Sequence, residues 1–171
     1  MQIGQKAPDF KGTAVLPNKE FKEVKLSDYR GKWLVFFFYP LDFTFVCPTE
    51  IKGFAATHNK FADVGAEVLG CSVDSYYSHL SWIEKDLGKL PFPLLSDITK
   101  NISRAYHVLI EDSHSLRGTF IIDPEGILKS IVVNDTAISR SIDETLRTLR
   151  ALQTGELTGC GWQPGQPTIK G

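Results

Sequence analysis

"KWLVFFFYPLDFTFVCPTE", residues 32–50, decides how the rest of the chain is read. Its first half is an apolar run bounded by Gly31 and Pro40, the pattern of a strand covered on both faces. A helical spacing follows: Ile51, Phe54, Ala55, His58, Phe61 and Ala62 recur between Pro48 and about Val64. Pro48 suits the first helical turn, where its missing N–H costs nothing. Cys47 therefore stands at or just before a helix N-terminus, where unpaired N–H groups and the positive dipole end favour an anion. Only the thiolate form of a cysteine is a good nucleophile. A free cysteine is equally at home as a small buried hydrophobe, and position alone leaves both readings open. Thr44 lies three residues upstream, within reach of the sulfur or its reaction partner, and Pro40 is placed to wall the thiol off from water.

Working outward, "AEVLGCSV" (66–73) reads as a second buried strand and "YSHLSWIEKDL" as a second helix. "LPFPLLSD" reads as a proline-broken link to a short helix near 98–106. "GTFIIDPEGILKSIVVND" holds two apolar runs around Asp123-Pro124-Glu125-Gly126, a β-hairpin signature. "SIDETLRTLRAL" opens with Ser141 and Glu144 at capping-box spacing, and Ile142, Leu146, Leu149 and Leu152 form one stripe. The order strand, helix, strand, helix, hairpin, helix predicts an α/β fold with a mixed central sheet flanked by helices. One domain is expected over 1–152, followed by a Gly- and Pro-rich, non-periodic and flexible tail over 153–171.

Bulk composition narrows the function. The chain of 171 residues has a formal net charge of −1, which supplies no basic surplus for a nucleic-acid backbone. The run Trp33–Leu41 is too short to cross a bilayer, and "MQIGQKAPDF" lacks the apolar stretch of a signal peptide. A cytosolic protein without nucleic-acid or membrane partners is expected. Its 3 cysteines, at 47, 71 and 160, are widely spaced and odd in number, unlike a secreted disulfide scaffold. No C-x-x-C pair occurs, and the 4 histidines (58, 79, 107 and 114) are scattered, so no zinc site is spelled out. The histidines read as packing or surface residues. Cys71, inside an apolar strand, reads as inert. Cys160, in a Gly-rich tail, suits attack on an oxidised partner cysteine.

At this point "PLDFTFVCPTE" resembles the peroxidatic-cysteine loop P-x-x-x-T-x-x-C of the peroxiredoxins, with Pro40, Thr44 and Cys47 in the three fixed places. "APDF" (7–10), "GCSVDS" (70–75), "LRGTFIIDPEG" (116–126) and "VNDTAISRSIDETLR" (133–147) resemble the two-cysteine, alkyl hydroperoxide reductase C branch in order and spacing. The resemblance implies a thioredoxin-like fold and a thiol-dependent peroxidase in which Cys47 becomes a sulfenic acid. It implies that Thr44 bonds the thiolate or the bound peroxide, that Pro40 shields the sulfur, and that Arg117 stabilises charge on it. Glu50 and Arg140 match the residues that position that arginine. No flavin, haem or metal cofactor is implied. Peroxides are the implied substrates, and the implied reductant is a dithiol protein of thioredoxin type or a dedicated flavoprotein. A homodimer assembling into a decamer is the implied quaternary state.

Two departures stand out. The branch carries its resolving cysteine in V-C-P-x-x-W; aligning on Trp162 puts Thr158 in that place and Cys160 two residues later. Cys160 is nonetheless the expected resolving residue, across a dimer interface. A thioredoxin-type reductase, the nearest rival, needs C-x-x-C at the first helix, and Glu50 occupies its second position. A non-catalytic holdase is a rival from another class. The second departure is that "EKDLGKLPFP" stands where many eukaryotic members have G-G-L-G, and no Tyr-Phe helix follows. Those features slow disulfide formation, so this chain is expected to resist over-oxidation. Inactivation measured at rising peroxide beside a relative with both features should occur at higher peroxide for this chain; equal sensitivity would refute the expectation.

Overall fold

The computed structural model describes residues 1–170. Strand β3 (Trp33–Phe38) lies near the middle of a seven-stranded sheet. It pairs in parallel with β4 (Ala66–Ser72), which pairs in parallel with the short β5 (Leu94–Ser96). On its other side β3 pairs antiparallel with β8 (Arg117–Ile122), and β8 with β9 (Leu128–Asn134) at the sheet edge. At the opposite edge β1 (Lys11–Val15) and β2 (Phe21–Lys25) form a hairpin whose first strand pairs antiparallel with β5. The order is β2-β1-β5-β4-β3-β8-β9. A separate small hairpin joins β6 (Leu109–Ile110) and β7 (His114–Ser115).

The uninterrupted apolar run of β3 follows from cover on both faces. Val35, Phe37 and Tyr39 point into a core shared with Ile51, Phe54 and Phe61 of α1 (Cys47–Ala62), Trp82 of α2 (Tyr76–Trp82) and Leu149 of α4 (Ile142–Gln153). Leu34, Phe36 and Phe38 point the other way, against Phe10, Phe120 and Tyr106, the last ending α3 (Asn101–Ala105). Phe37 stacks on Phe54 with centroids 4.4 Å apart, fixing α1 over the strand. At the end of α2 the helix continues as one wider turn, Ile83–Leu87.

The expected mixed sheet with helices on both faces is therefore present, with three strands more than the apolar runs indicate. In "LPFPLLSD", read above as a link, β5 is only three residues long and begins directly after Pro93. A proline lacks a donor but keeps its acceptor, and the Pro93 carbonyl takes the Gly70 N–H at 3.2 Å. The β1–β2 hairpin escapes a search for apolar runs because it is an edge ribbon of alternating charges, with only Ala14, Val15 and Val24 buried. At α4 the Ser141 hydroxyl accepts the Glu144 N–H at 3.1 Å, but the Glu144 carboxylate turns to Arg147, leaving half a capping box. The tail is irregular but attached. Trp162 is buried, its carbonyl accepts from Arg147 at 3.0 Å, and the Ile169 N–H donates to the Leu157 carbonyl at 2.8 Å.

Gly70 marks the tightest point of the central sheet. A Cβ there would lie 2.7 Å from the Phe37 ring and 2.8 Å from a Leu94 methyl. Gly70→Ala is expected to destabilise the fold by about 2 kcal/mol through overpacking, read from urea unfolding midpoints; an unchanged midpoint would contradict this packing.

Candidate active site

Cys47 is the first residue of α1, and its side chain is completely buried. Val46 ahead of it offers no side-chain cap, and Pro48 follows in the first turn, so the helix start is left to the sulfur and its neighbours. Glu50 sits three residues on, hence on the same face of the helix. Arg117, the first residue of β8, directs Nη1 at both: 3.4 Å to Cys47 Sγ and 2.8 Å to Glu50 Oε2. Its Nε donates to the Thr136 carbonyl at 2.8 Å, which fixes the plane of the guanidinium.

Arg140 completes the cluster from the loop before α4. Its Nε and backbone N–H reach Glu50 Oε1 at 3.1 and 3.2 Å, and Nη2 reaches Oε2 at 3.2 Å. The remaining protons go to the Gly118 carbonyl (2.8 Å), the Thr119 hydroxyl (2.9 Å) and the Phe38 carbonyl (2.5 Å). The Ser139 hydroxyl also donates to Glu50 Oε1, at 3.1 Å. Glu50 therefore has both oxygens saturated in a site where it is 2% exposed. Burial pushes the Arg140 guanidinium below its ordinary value, and the Glu50 carboxylate opposes that shift. Such an ion cluster is tolerated only because every charge is met by partners of good geometry.

Four of the residues expected from sequence, Cys47, Glu50, Arg117 and Arg140, thus converge in space. Pro40 is buried at the exit of β3. Of the two partners expected for Thr44, the sulfur is not engaged: the Thr44 hydroxyl donates to the Leu41 carbonyl at 2.8 Å. While it makes this bond, its lone pairs are free to accept from a bound molecule. Cys160 is exposed on the tail, and all three cysteines are unpaired. Cys71 is completely buried; burial, then Asp97, pushes its thiol well above the ordinary value and keeps it protonated. Among the described residues no group of three or more His, Cys, Asp or Glu converges as a metal site. Sequence reasoning passed over Ser139 and the Thr136 carbonyl, although both lie within "VNDTAISRS", where they hold Glu50 and Arg117. It also passed over Asp42, inside the Thr44 loop, and the bonded role of His79 behind it.

A thiol buried at a helix start on a thioredoxin-like sheet, with an arginine on the sulfur, defines a cysteine-based oxidoreductase. Residues 3–131 match the model of the AhpC/TSA family. Human Peroxiredoxin-4 is 53% identical over 98% of this chain, which spans 65% of that protein's length. The mitochondrial thioredoxin-dependent peroxide reductase of Drosophila melanogaster is 54% identical over 99% of this chain and 77% of its own. The crystal structure of reduced 2-Cys peroxiredoxin from Plasmodium vivax superposes with a TM-score of 0.97 at 43% identity, covering 99% of this chain and 93% of that one. The chain belongs to the AhpC/TSA family, and through it to the thiol-dependent peroxidases known as peroxiredoxins.

Arg117→Ala removes the one cation on the sulfur. It is expected to slow reaction of Cys47 with hydrogen peroxide by about 10²- to 10³-fold, the usual cost of one preorganised donor. Stopped-flow oxidation rates would show this, and a loss below about fivefold would contradict the role drawn from the geometry.

Proposed function

We propose that this chain reduces hydrogen peroxide and organic hydroperoxides, with Cys47 as the attacking group and Cys160 as the thiol that resolves it. The observation that carries the reading is Arg117 Nη1 at 3.4 Å from a completely buried Cys47 sulfur. Two guanidiniums and one carboxylate leave the cluster with an excess positive charge, which a thiolate at Cys47 compensates. The sulfur attacks the terminal oxygen of the peroxide, and an S–O bond forms as the O–O bond breaks. The leaving oxygen keeps the electron pair and takes a proton to become water or an alcohol, while Cys47 becomes a sulfenic acid. Arg117 steadies the charge moving along this line, Pro40 excludes water, and Thr44 accepts the hydrogen bond of the peroxide hydroxyl. Glu50 and Arg140 position Arg117. The Cys160 thiolate then attacks the Cys47 sulfur and expels hydroxide, which is protonated to water, leaving a disulfide.

The disulfide is proposed to join two subunits, and a dithiol protein to reduce it. A thioredoxin-type donor is favoured by the name of the Drosophila relative, and a dedicated flavoprotein is the alternative donor. Dimer formation, and growth to a decamer, are proposed on two exposed features. One is the free edge of β9 with Val132 and Val133, and the other is the apolar set Leu41, Phe43 and Phe45 in the Thr44 loop. No helix is long and apolar enough to cross a membrane among the described residues. A cytosolic location is proposed because three unpaired thiols suit a reducing compartment.

Cys47→Ser is expected to abolish peroxide consumption, and Cys160→Ser to allow one turnover that stops at the sulfenic acid. Non-reducing mass analysis after one equivalent of peroxide should show Cys47 linked to Cys160 between chains. Peroxide turnover that survives Cys47→Ser, or a bond to Cys71, would overturn the assignment.

A further inference from the structure

Behind the sulfur, joined to the Thr44 loop through Asp42, lies a buried polar cluster that shares no hydrogen bond with Cys47 or its arginines. His79 of α2 is completely buried, with Nδ1 2.8 Å from Asp42 Oδ2 and Nε2 3.2 Å from the Leu95 carbonyl. A carbonyl can only accept, so Nε2 carries a proton. Asp42 Oδ1 accepts the Tyr39 hydroxyl at 2.9 Å. Burial, then Asp42, pushes the Tyr39 phenol well above its ordinary value, so it remains the donor. One proton is therefore held between His79 Nδ1 and Asp42 Oδ2. Without it, a carboxylate would face a ring lone pair at 2.8 Å. The Asp42 backbone is tied as well: its N–H donates to Asp74 Oδ2 at 2.9 Å, and Asp74 is held by the Ser72 hydroxyl at 2.7 Å.

Asp42 sits inside the loop that does the proposed chemistry. The residue before it, Leu41, supplies the carbonyl that orients the Thr44 hydroxyl. The residue after it, Phe43, has φ of 56°, a left-handed conformation that costs a phenylalanine free energy and persists only when its surroundings hold it. Its ring leans on Trp82, with centroids 5.8 Å apart. Four residues after Phe43 comes Cys47. This short strained loop is thus held from behind chiefly through Asp42.

The hold acts in opposite directions on the two half-reactions. Attack on peroxide needs the loop in place. Disulfide formation needs sulfur–sulfur contact at about 2 Å, yet Cys47 is completely buried and Cys160 is exposed. The loop and the first turn of α1 must therefore leave their packed position before the second step. We infer that the buried Asp42–His79 pair is the positioning device for the Thr44 loop, and that its strength sets how the Cys47 sulfenic acid divides between disulfide and over-oxidation. In over-oxidation the sulfenic sulfur attacks a second peroxide, gains its terminal oxygen to become a sulfinic acid, and releases water or an alcohol. The inference rests on the assignment of Cys47 and Cys160 above; His79 and Asp42 act through the loop and touch no reacting atom.

The test measures two rate constants by stopped flow with hydrogen peroxide, for oxidation of Cys47 and for disulfide formation, with sulfinic acid read by mass. His79→Leu is expected to slow the first and speed the second, each by about tenfold, the effect of losing one charge-assisted hydrogen bond, and to lower the sulfinic fraction. Asp42→Asn keeps the clamp without the shared proton, because its oxygen accepts from Tyr39 and its amide donates to Nδ1. Both of its rates are expected within about threefold of the parent. His79→Gln, less disruptive to the core, should shift both rates in the same senses as leucine. Rates that fall in parallel or do not move in the histidine variants would overturn the inference, as would an asparagine variant as altered as His79→Leu. Failure of the underlying assignment is separable, since it shows as peroxide consumption that survives Cys47→Ser.

Discussion

The site depends on one buried carboxylate. Glu50 has lost its water and must recover that solvation from donors within the protein. It does so by gathering Arg117, Arg140 and Ser139, which lie 67, 90 and 89 residues away in the chain. Those donors belong to the start of β8 and to the loop before α4, so satisfying one anion draws two separate segments to the first turn of α1. The placement of Arg117 on the sulfur is a by-product of that demand, because the same Nη1 serves Glu50 and Cys47. Arg140 extends the constraint into the sheet through the carbonyls of Phe38 and Gly118, where β3 and β8 open toward the site. Its guanidinium lies 5.2 Å from the centroid of the Phe37 ring, so the polar cluster also rests on the core beneath it.

Around that fixed half of the site lies a half that the proposed disulfide between Cys47 and Cys160 requires to move. The arginines are held by many directed bonds on secondary structure, which suits groups that must meet developing charge without reorganising. The segment from Leu41 to Val46 has no regular structure, carries a left-handed Phe43, and leaves Phe45 94% exposed. It is anchored at isolated points, chiefly Asp42, and not along its length. For the proposed disulfide, a completely buried Cys47 and an exposed Cys160 would be incompatible in a rigid molecule. Dividing the site into a rigid and a releasable part removes the conflict.

Much of this was legible in the residue order. The apolar run 33–39, the stripe after Pro48 and the Asp-Pro-Glu-Gly turn each report local physics, a strand buried on both faces, an amphipathic helix and a hairpin, and each element stands where the pattern places it. The β1–β2 ribbon and β5 were not legible because their pairing is set by neighbours. Three residues after a proline become a strand only when β4 offers an edge on one side and β1 on the other. His79 shows the same limit. Its type and spacing suit a packed residue, and it is one, but its partners Asp42 and Leu95 come from other elements and leave no local signal.

The sequence by itself determined the central strand, the helix that begins at Cys47, and, through several motifs in fixed order, the peroxiredoxin family. Those features are local or are carried by residue identity, so they survive without coordinates. Only the tertiary structure decided that Glu50 is a saturated buried ion, and not a solvated helix charge. It alone spent the Thr44 proton on Leu41, and it sank Cys47 out of reach of the exposed Cys160. The physical reason is that desolvation and hydrogen-bond partnership are properties of the packed neighbourhood, and here that neighbourhood is assembled from residues up to 102 positions apart.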